Sequence, residues 1–324
     1  MFSGPVLVTG AAGFAGSHLI DALLDRSATI QGWAKPGTPA FFDHAAAASV
    51  EWRNVDLLDR GAVHQAMGEF RPSVIFHLAG AAHVGQSWQA VASTLEVNVM
   101  GTENLLEADR LHGLEARLLV TGSASVYRDA PDPLTEEAPL APSSPYAVSK
   151  LAQEQLAVRA ARGGQLVFVT RPFNHIGPRQ APSFATASFA RQIARIERGA
   201  ADPLMRVGNV APRRDLTDVR DTVQAYLAIV ERGAPGVVYN VCSGHAPRIQ
   251  DVLDGLRARA RIHVDVEVDP ALYRPHDAPV VVGDHARLTR DTGWRPTIPL
   301  ERTLDDLLAF WREAVARDDS RAAS

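Results

Sequence analysis

The chain has 324 residues, 46% hydrophobic and 22% charged, with 33 Lys and Arg against 37 Asp and Glu for a net charge of -4. That length and balance fit a soluble globular protein of two lobes, and without a basic block nucleic acid is not an expected partner. Cys242 is the only cysteine, which excludes an intrachain disulfide and a structural thiolate zinc site.

Met1–Pro5 leads straight into a strand-like segment without a charged leader or apolar signal core, and no apolar run reaches membrane-spanning length, so a cytoplasmic protein off the membrane is expected. Val6-Leu7-Val8-Thr9 opens on Gly10-Ala11-Ala12-Gly13-Phe14-Ala15-Gly16, and a helical pattern follows from Ser17 to about Leu24. Strand, glycine turn and helix is the order that brings backbone N–H groups up to a pyrophosphate at a helix N-terminus. Such a turn can also be mere packing, but placed directly after the first strand it predicts a dinucleotide site walled by Gly10, Gly13, Phe14 and Gly16.

The second predicted strand, about Ala28–Trp33, ends in Gly32-Trp33-Ala34-Lys35. An acidic residue there would take the ribose hydroxyls of NAD, whereas Lys35 suits the extra phosphate of NADP. NADP(H) is therefore favoured and NAD(H) remains possible. Val50–Asp56 reads as a third strand that delivers Asp56 and Leu57 to the adenine. Ser73–Gly80 reads as a buried strand ending in Leu78, Ala79 and Gly80, small enough for a cofactor to pass close. His77 and His83 have no third ligand at metal spacing, so no metal site is expected and His77 is read as structural.

A helix from about Ser93 to His112 carries Asn98, assigned to the cofactor side, and Gly101. The strand Arg117–Thr121 then leads into Ser123, placed to meet a substrate oxygen. In Ser144-Pro145-Tyr146-Ala147-Val148-Ser149-Lys150, Pro145 suits the first turn of a helix and sets Tyr146 and Lys150 one turn apart on one face. A tyrosine titrates near pH ~10, and a nearby ammonium favours its phenolate, so Tyr146 becomes a candidate general acid or base.

The second half adds a strand at Gln165–Thr170 and helices near Phe184–Arg198, Val219–Arg232 and Ile249–Ala260. Strands follow near Val237–Val241 and Ile262–Val268, with a turn region through Arg213-Arg214-Asp215. A last helix is expected over about Leu304–Ala316, with Asp318–Ser324 frayed. The alternation predicts an α/β protein with a doubly wound parallel sheet and its ligand at the carboxyl ends of the strands. Residues 1–172 form the dinucleotide-binding lobe, with 211–241 and 279–292 returning to it, and 173–324 form mainly the substrate lobe.

Taken together, Gly10-x-x-Gly13-x-x-Gly16, Asp56-Leu57, His77-Leu78-Ala79, Asn98-Val99-x-Gly101-Thr102, Ser123 and Tyr146-x-x-x-Lys150 resemble the extended short-chain dehydrogenase/reductase family over essentially the whole chain. The resemblance implies a Rossmann-type lobe beside a smaller lobe for a nucleotide sugar. It implies Tyr146 as proton donor or acceptor, Lys150 as ribose contact and Ser123 as polariser of the sugar carbonyl. Homodimer formation through the helices near Ser93–His112 and Pro145–Arg162 is implied as well.

Within the family, Arg171–Pro178, Phe189–Ala194 (with Arg191), Arg214–Asp221 and Arg274-Pro275-x-Asp277-x-Pro279-Val280 look most like GDP-4-keto-6-deoxy-D-mannose reductases. That likeness assigns Asn174, Arg191, Arg214 and Arg274 to the substrate, the guanidiniums of Arg214 and Arg274 suiting a diphosphate. Arg179 departs from the pattern, which has glycine there. Dehydratase relatives carry a carboxylate one or two residues past Ser123, where this chain has Ala124 and Ser125. The expected reaction is reduction of a GDP-linked 4-keto-6-deoxy sugar to a GDP-6-deoxyhexose such as GDP-D-rhamnose. A nucleotide-sugar 4-epimerase is the alternative, ahead of a GDP-mannose 4,6-dehydratase or a non-catalytic NADP-sensing protein. A Ser-His-Asp hydrolase is excluded, since no Gly-x-Ser-x-Gly elbow surrounds Ser123.

Overall fold

The computed structural model describes residues 2, 4–24, 26, 29–37, 49–273 and 278–322, with the backbone alone for 318–322. The chain opens with β1 (Val6–Thr9), α1 (Phe14–Leu24), β2 (Ile30–Ala34), β3 (Glu51–Asn54), α2 (Arg60–Phe70) and β4 (Val74–His77). Then follow the short helices α3 (Val84–Ser87) and α4 (Val91–Leu95), a wide helical turn over Glu96–Met100, α5 (Gly101–Leu111) and β5 (Arg117–Thr121). The catalytic candidates lie on α6 (Pro145–Arg162), which leads to β6 (Val167–Pro172), β7 (Asn174–Ile176), α7 (Ala185–Glu197) and β8 (Leu204–Val207). Next come β9 (Arg213–Arg214), β10 (Leu216–Asp218), α8 (Val219–Arg232), β11 (Val238–Val241), α9 (Ile249–Ala258) and β12 (Asp265–Val268). The chain closes with β13 (Val280–Val281), α10 (Ala286–Thr292) and α11 (Leu300–Ala322).

Seven strands form one parallel sheet in the order β11-β6-β5-β4-β1-β2-β3, the Rossmann-type doubly wound arrangement. Alternation along its strands sorts side chains to two faces, and both are covered. Val6, Val8, Phe76, Leu119 and Phe168 point to the side packed by α1 and α8, with Leu19, Tyr226 and Ile229. Leu7, Ile75, Leu118, Val120 and Val169 point to the side of α2, α5 and α6, with Met67, Leu105 and Ala157. Each such side chain contributes roughly 1.5–3 kcal/mol on burial, which fixes the strand register. A separate core forms where α7, α9 and α11 meet, around Ile193, Met205, Leu256, Leu307 and Trp311.

Some elements differ from the sequence expectation. The helix expected over Ser93–His112 is broken by the wide turn at Glu96–Met100. The expected turn region at Arg213–Asp215 instead carries two short strands. β9 pairs with β13 and β10 with β7, in two small parallel sheets beside the large one. After them α8, from Val219, packs on the large sheet. The last helix runs to Ala322, so the expected fraying from Asp318 does not occur up to that residue. The reason is the length of the apolar stripe, which starts early at Leu304 and still packs Val315 against the second core.

Strand order turns around between β1 and β4, the switch point at which a doubly wound sheet opens a crevice beyond its strand ends. The glycine turn follows β1 and Leu78–Gly80 follows β4, so both flank that crevice.

Candidate active site

Gly10 adopts φ 69°, a left-handed conformation that suits glycine, and a Cβ there would stand 2.7 Å from the Ala79 nitrogen. At Gly16 a Cβ would stand 2.2 Å from the Gly10 carbonyl oxygen, so the start of α1 lies directly on the turn. Gly13 donates its N–H to the Gly10 carbonyl at 2.9 Å and closes the loop. Phe14, the first residue of α1, stacks on His175 of β7 with ring centroids 5.6 Å apart and planes 12° from parallel. It thereby joins the glycine turn to the second lobe.

Lys35 follows β2 and is exposed, its Nζ 3.9 Å from Asp56 Oδ2. Asp56 lies two residues beyond β3, which ends at Asn54 rather than at 56, and accepts the Leu58 N–H at 3.0 Å. Leu57 is buried, and Asn104 holds its carbonyl at 2.7 Å. Leu78, Ala79 and Gly80 continue β4, with Ala79 donating its N–H to Thr9 Oγ1 at 3.2 Å.

Asn98, expected on the cofactor side, lies against the Gly80–Ala81 loop. It is fully buried at the wide turn, where its Oδ1 accepts Ala81 N–H at 2.8 Å and its Nδ2 donates to Ser149 Oγ at 2.8 Å. With both ends of the amide engaged, Asn98 shapes the Gly80–Ala81 loop and clamps it to α6. The same packing explains Gly80, where a Cβ would stand 2.7 Å from Asn98 Oδ1.

Helix α6 starts where its sequence dictates. Ser144 caps it by accepting the Ala147 N–H at 3.1 Å, and Pro145 occupies the first turn. Tyr146 and Lys150 then face the ends of β4 and β5. Ser123, just beyond β5, lies beside the Tyr146 phenol. The Ser123 hydroxyl also meets Ser125 Oγ at 2.8 Å and accepts the Ser125 N–H at 3.2 Å. Burial raises the Tyr146 hydroxyl above its ordinary range, and the Ser123 contact partly offsets it.

Lys150 stands over the Tyr146 ring and is held by two further contacts. Its Nζ lies 6.0 Å from the ring centroid and donates to the Thr121 carbonyl and to Gln153 Oε1, each at 2.9 Å. Burial pulls Lys150 itself down to about 8.

The expected substrate residues lie in the second lobe. Asn174 opens β7 and is exposed, next to the His175 that stacks on Phe14. Arg191, on α7, places its guanidinium 5.9 Å from the Trp311 ring of α11. Arg214, in β9, donates from Nη1 to the Arg213 carbonyl at 2.8 Å. Arg274, with the rest of 274–277, lies outside the described residues. Arg179 keeps the glycine-like conformation of the pattern, with φ 71°, and its Nη2 donates to Asp21 Oδ2 at 2.7 Å. That ion pair, with His18 Nε2 at 2.9 Å from the Pro178 carbonyl, latches the loop to α1.

The structure thus brings Gly10, Ala79, Gly80, Ser123, Tyr146 and Lys150 around one crevice, and holds Asn174, Arg191 and Arg214 apart on the second lobe. Sequence reading missed Ser125, which shares a hydroxyl pair with Ser123, and Gln153, whose only signal is its place one turn after Lys150. It also missed the stack of His83 on Phe184, centroids 4.7 Å apart. His77, fully buried, meets Thr9 Oγ1 and Thr102 Oγ1 at 2.8 and 2.9 Å. Among the described residues no group of three or more His, Cys, Asp or Glu could hold a metal ion, and no helix is long and apolar enough to cross a membrane.

Residues 7–307 match the family model described as GDP-mannose 4,6 dehydratase. The chain is 37% identical to the GDP-6-deoxy-D-mannose reductase of Pseudomonas aeruginosa over 317 residues, 97% of this chain and 99% of that protein. A solved structure of RMD from Pseudomonas aeruginosa complexed with NADPH superposes with a TM-score of 0.83 at 35% identity, covering 96% of this chain and 100% of that one. The Thermus thermophilus UDP-glucose 4-epimerase in complex with NAD superposes with a TM-score of 0.85 at 30% identity, covering 96% and 99%.

Proposed function

The chain belongs to the extended short-chain dehydrogenase/reductase family, and from that membership we propose that it reduces the 4-keto group of GDP-4-keto-6-deoxy-D-mannose, with NADPH, to a GDP-6-deoxyhexose, GDP-D-rhamnose. The observation that carries this reading is the Ser123–Tyr146 hydroxyl pair at the crevice, followed by Ala124 and Ser125 rather than by a carboxylate. Two hydroxyls can stabilise and protonate an alkoxide, but without a carboxylate base beside them nothing is placed to strip a proton from C5 for elimination. This separates the chain from the dehydratase activity in the description of its family model.

The residues fit a dinucleotide. Gly10 and Gly16 let the turn close tightly, where a Cβ would meet Ala79 or the Gly10 carbonyl, at a helix N-terminus whose dipole suits a pyrophosphate. Lys35 and Asp56 stand together at the far end, Lys35 for a ribose phosphate and Asp56 for the adenine amine. NADPH, when bound, supplies the hydride. The chain's own part is to hold the keto carbon in contact with the nicotinamide, to donate a hydrogen bond to the keto oxygen from Ser123, and to deliver a proton to it from Tyr146 Oη. Burial that raises the Tyr146 hydroxyl keeps it protonated and ready to donate.

In this reading residues 1–172, with the later segments 211–241 and 279–292, carry the cofactor, and 173–324 carry the GDP sugar through Asn174, Arg191, Arg214 and Arg274. We further take the protein to be cytoplasmic and a homodimer. Trp88, Val91, Met100 and Val148 leave 51, 43, 48 and 45% of their surface exposed on the α3–α6 side, an apolar face suited to a second copy. Light scattering on the purified protein tests the dimer.

Purified protein mixed with GDP-4-keto-6-deoxy-D-mannose and NADPH tests the reaction, with NADH in parallel. Loss of reduced-nicotinamide absorbance with a GDP-6-deoxyhexose product supports it, and preference for NADPH supports the role of Lys35. No loss with either cofactor overturns it. The likeness to a UDP-glucose 4-epimerase then makes epimerisation of UDP- and dTDP-sugars the next reaction to try.

A further inference from the structure

The Lys150 ammonium has three N–H groups, and two are fixed by the Thr121 carbonyl and Gln153 Oε1, each at 2.9 Å. Gln153 is fully buried, so its amide has no water to turn to. Its Nε2 donates to Thr102 Oγ1 at 2.7 Å, which fixes Oε1 toward the lysine. The Thr102 hydroxyl gives its proton to the Asn98 carbonyl at 2.7 Å and therefore accepts from both other neighbours.

One of these is His77 Nε2 at 2.9 Å, so His77 carries its proton on Nε2 and its Nδ1 accepts the Thr9 hydroxyl at 2.8 Å. Thr9 Oγ1 accepts in turn from the Ala79 N–H, beside the glycine turn, at 3.2 Å. Gln153, Thr102, His77 and Thr9 are each fully buried. Beside the ammonium lie Gly80, where a Cβ would stand 3.6 Å from Nζ, and the Tyr146 ring, its centroid 6.0 Å away.

We propose that Gln153 is a positioning residue: its amide, oriented through Thr102, His77 and Thr9, aims the Lys150 ammonium at the cofactor and, being neutral, leaves that charge uncompensated. The inference rests on the reading above in taking Lys150 to meet the cofactor. The groups facing Lys150 agree with it. Tyr146 on the same helix is a neutral phenol, and His77 on β4 is held neutral, pushed down to about 3 by burial and by Lys150 itself. Glu154, next to Gln153, turns to Arg171 instead. Burial alone lowers Lys150, to about 8, with no carboxylate opposing it among the described residues.

The test uses NADPH affinity, followed by fluorescence from about pH 6 to 10, a range that spans the neutral and alkaline side-chain titrations. The same pH series is run for turnover with the 4-keto sugar nucleotide. In the wild type both fall as Lys150 loses its proton near 8. Gln153→Glu sets a carboxylate against the ammonium and moves that alkaline limb up by about one unit or more. Gln153→Met removes the acceptor and moves the limb down. It also lowers NADPH affinity and kcat about tenfold, with the sugar KM unchanged. A merely structural glutamine would lower the melting temperature of both variants without moving either limb.

Limbs that coincide with wild type overturn the proposal. Should Gln153→Glu fail to fold, the near-isosteric Gln153→Met decides by itself. NADPH binding needs no sugar, so a limb that shifts in binding without any turnover supports Gln153 and overturns only the sugar assignment.

Discussion

Glu154 and Arg171 form the most completely buried ion pair described in the molecule, 1% and 4% exposed, and its removal has a calculable outcome. Arg171 Nε and Nη2 grip the two Glu154 oxygens at 2.8 and 2.6 Å, while Nη1 donates to the Tyr127 hydroxyl and the Glu136 carbonyl at 2.9 and 3.1 Å. Glu154→Leu leaves the guanidinium buried without its counter-charge, which costs about 3–5 kcal/mol. Arg171→Met strands the carboxylate and costs a similar ~3–5 kcal/mol. The double variant has no charge left to strand. It loses only the hydrogen bonds to Tyr127 and Glu136, about 1 kcal/mol each, and regains apolar packing, so it is destabilised by roughly 1–3 kcal/mol. Urea unfolding of the four proteins at pH 7 gives the cycle. Single variants each within ~1 kcal/mol of wild type, or a double variant equal to the sum within ~0.5 kcal/mol, would refute the argument. Since the pair ties α6 to β6, both single variants also loosen the helix that carries Tyr146 and Lys150, and turnover falls with stability.

Tyr146→Phe removes the proton donor and lowers turnover about 10²–10⁴-fold while NADPH still binds, and wild-type turnover by this variant would remove Tyr146 from the mechanism. Gly16→Ala drives a methyl group to 2.2 Å from the Gly10 carbonyl and spreads the turn. NADPH affinity measured by fluorescence titration then drops at least about tenfold. Gly85→Ala, whose methyl meets nothing within 4 Å, leaves it unchanged. Acid destabilises the fold through its buried histidines. His77 is lowered to about 3 and His18 to about 4, chiefly by burial, so below pH ~6.5 the unfolded chain takes up protons that the folded one refuses. Stability falls by up to about 1.4 kcal/mol per pH unit for each histidine, a slope that His18→Gln halves for this pair. A urea midpoint constant between pH 7 and 5 would contradict it.

The parts legible in the sequence were those governed by local rules. Ser144, Pro145 and Gly163 bound α6 where the sequence put its ends, and the glycine turn follows β1 because Gly10 and Gly16 answer to backbone sterics alone. The short strands β7, β9 and β10 carried no usable signal, for two or three residues cannot show a period and their partners are set by the crossing between lobes. The partners of Lys150 were illegible for a related reason. Spacing on a helix gives the face a side chain occupies, but the direction of its N–H groups depends on Thr121, which is remote in sequence, and on Gln153, one turn on. Arg179 shows the converse, a large residue held in a glycine conformation by Asp21, a partner on a distant helix.

The wide turn at Glu96–Met100 makes chain length, rather than side-chain identity, the guarded property of this helix. An α-helix advances about 100° per residue, so the extra residue accommodated in the turn sets α4 and α5 out of phase. Deleting one residue there would restore a regular hydrogen-bond ladder and yet rotate Val91–Leu95 by about 100° relative to α5. Thr94, now 3% exposed, would leave its contact side, and one of its exposed neighbours would be pressed toward α6. Point replacements at Glu96 and Met100, the exposed residues of the turn, only change a surface. An in-frame loss of a single codon would dismantle the wall on which Tyr146 stands, so descendants of this chain should vary there in spelling and not in length.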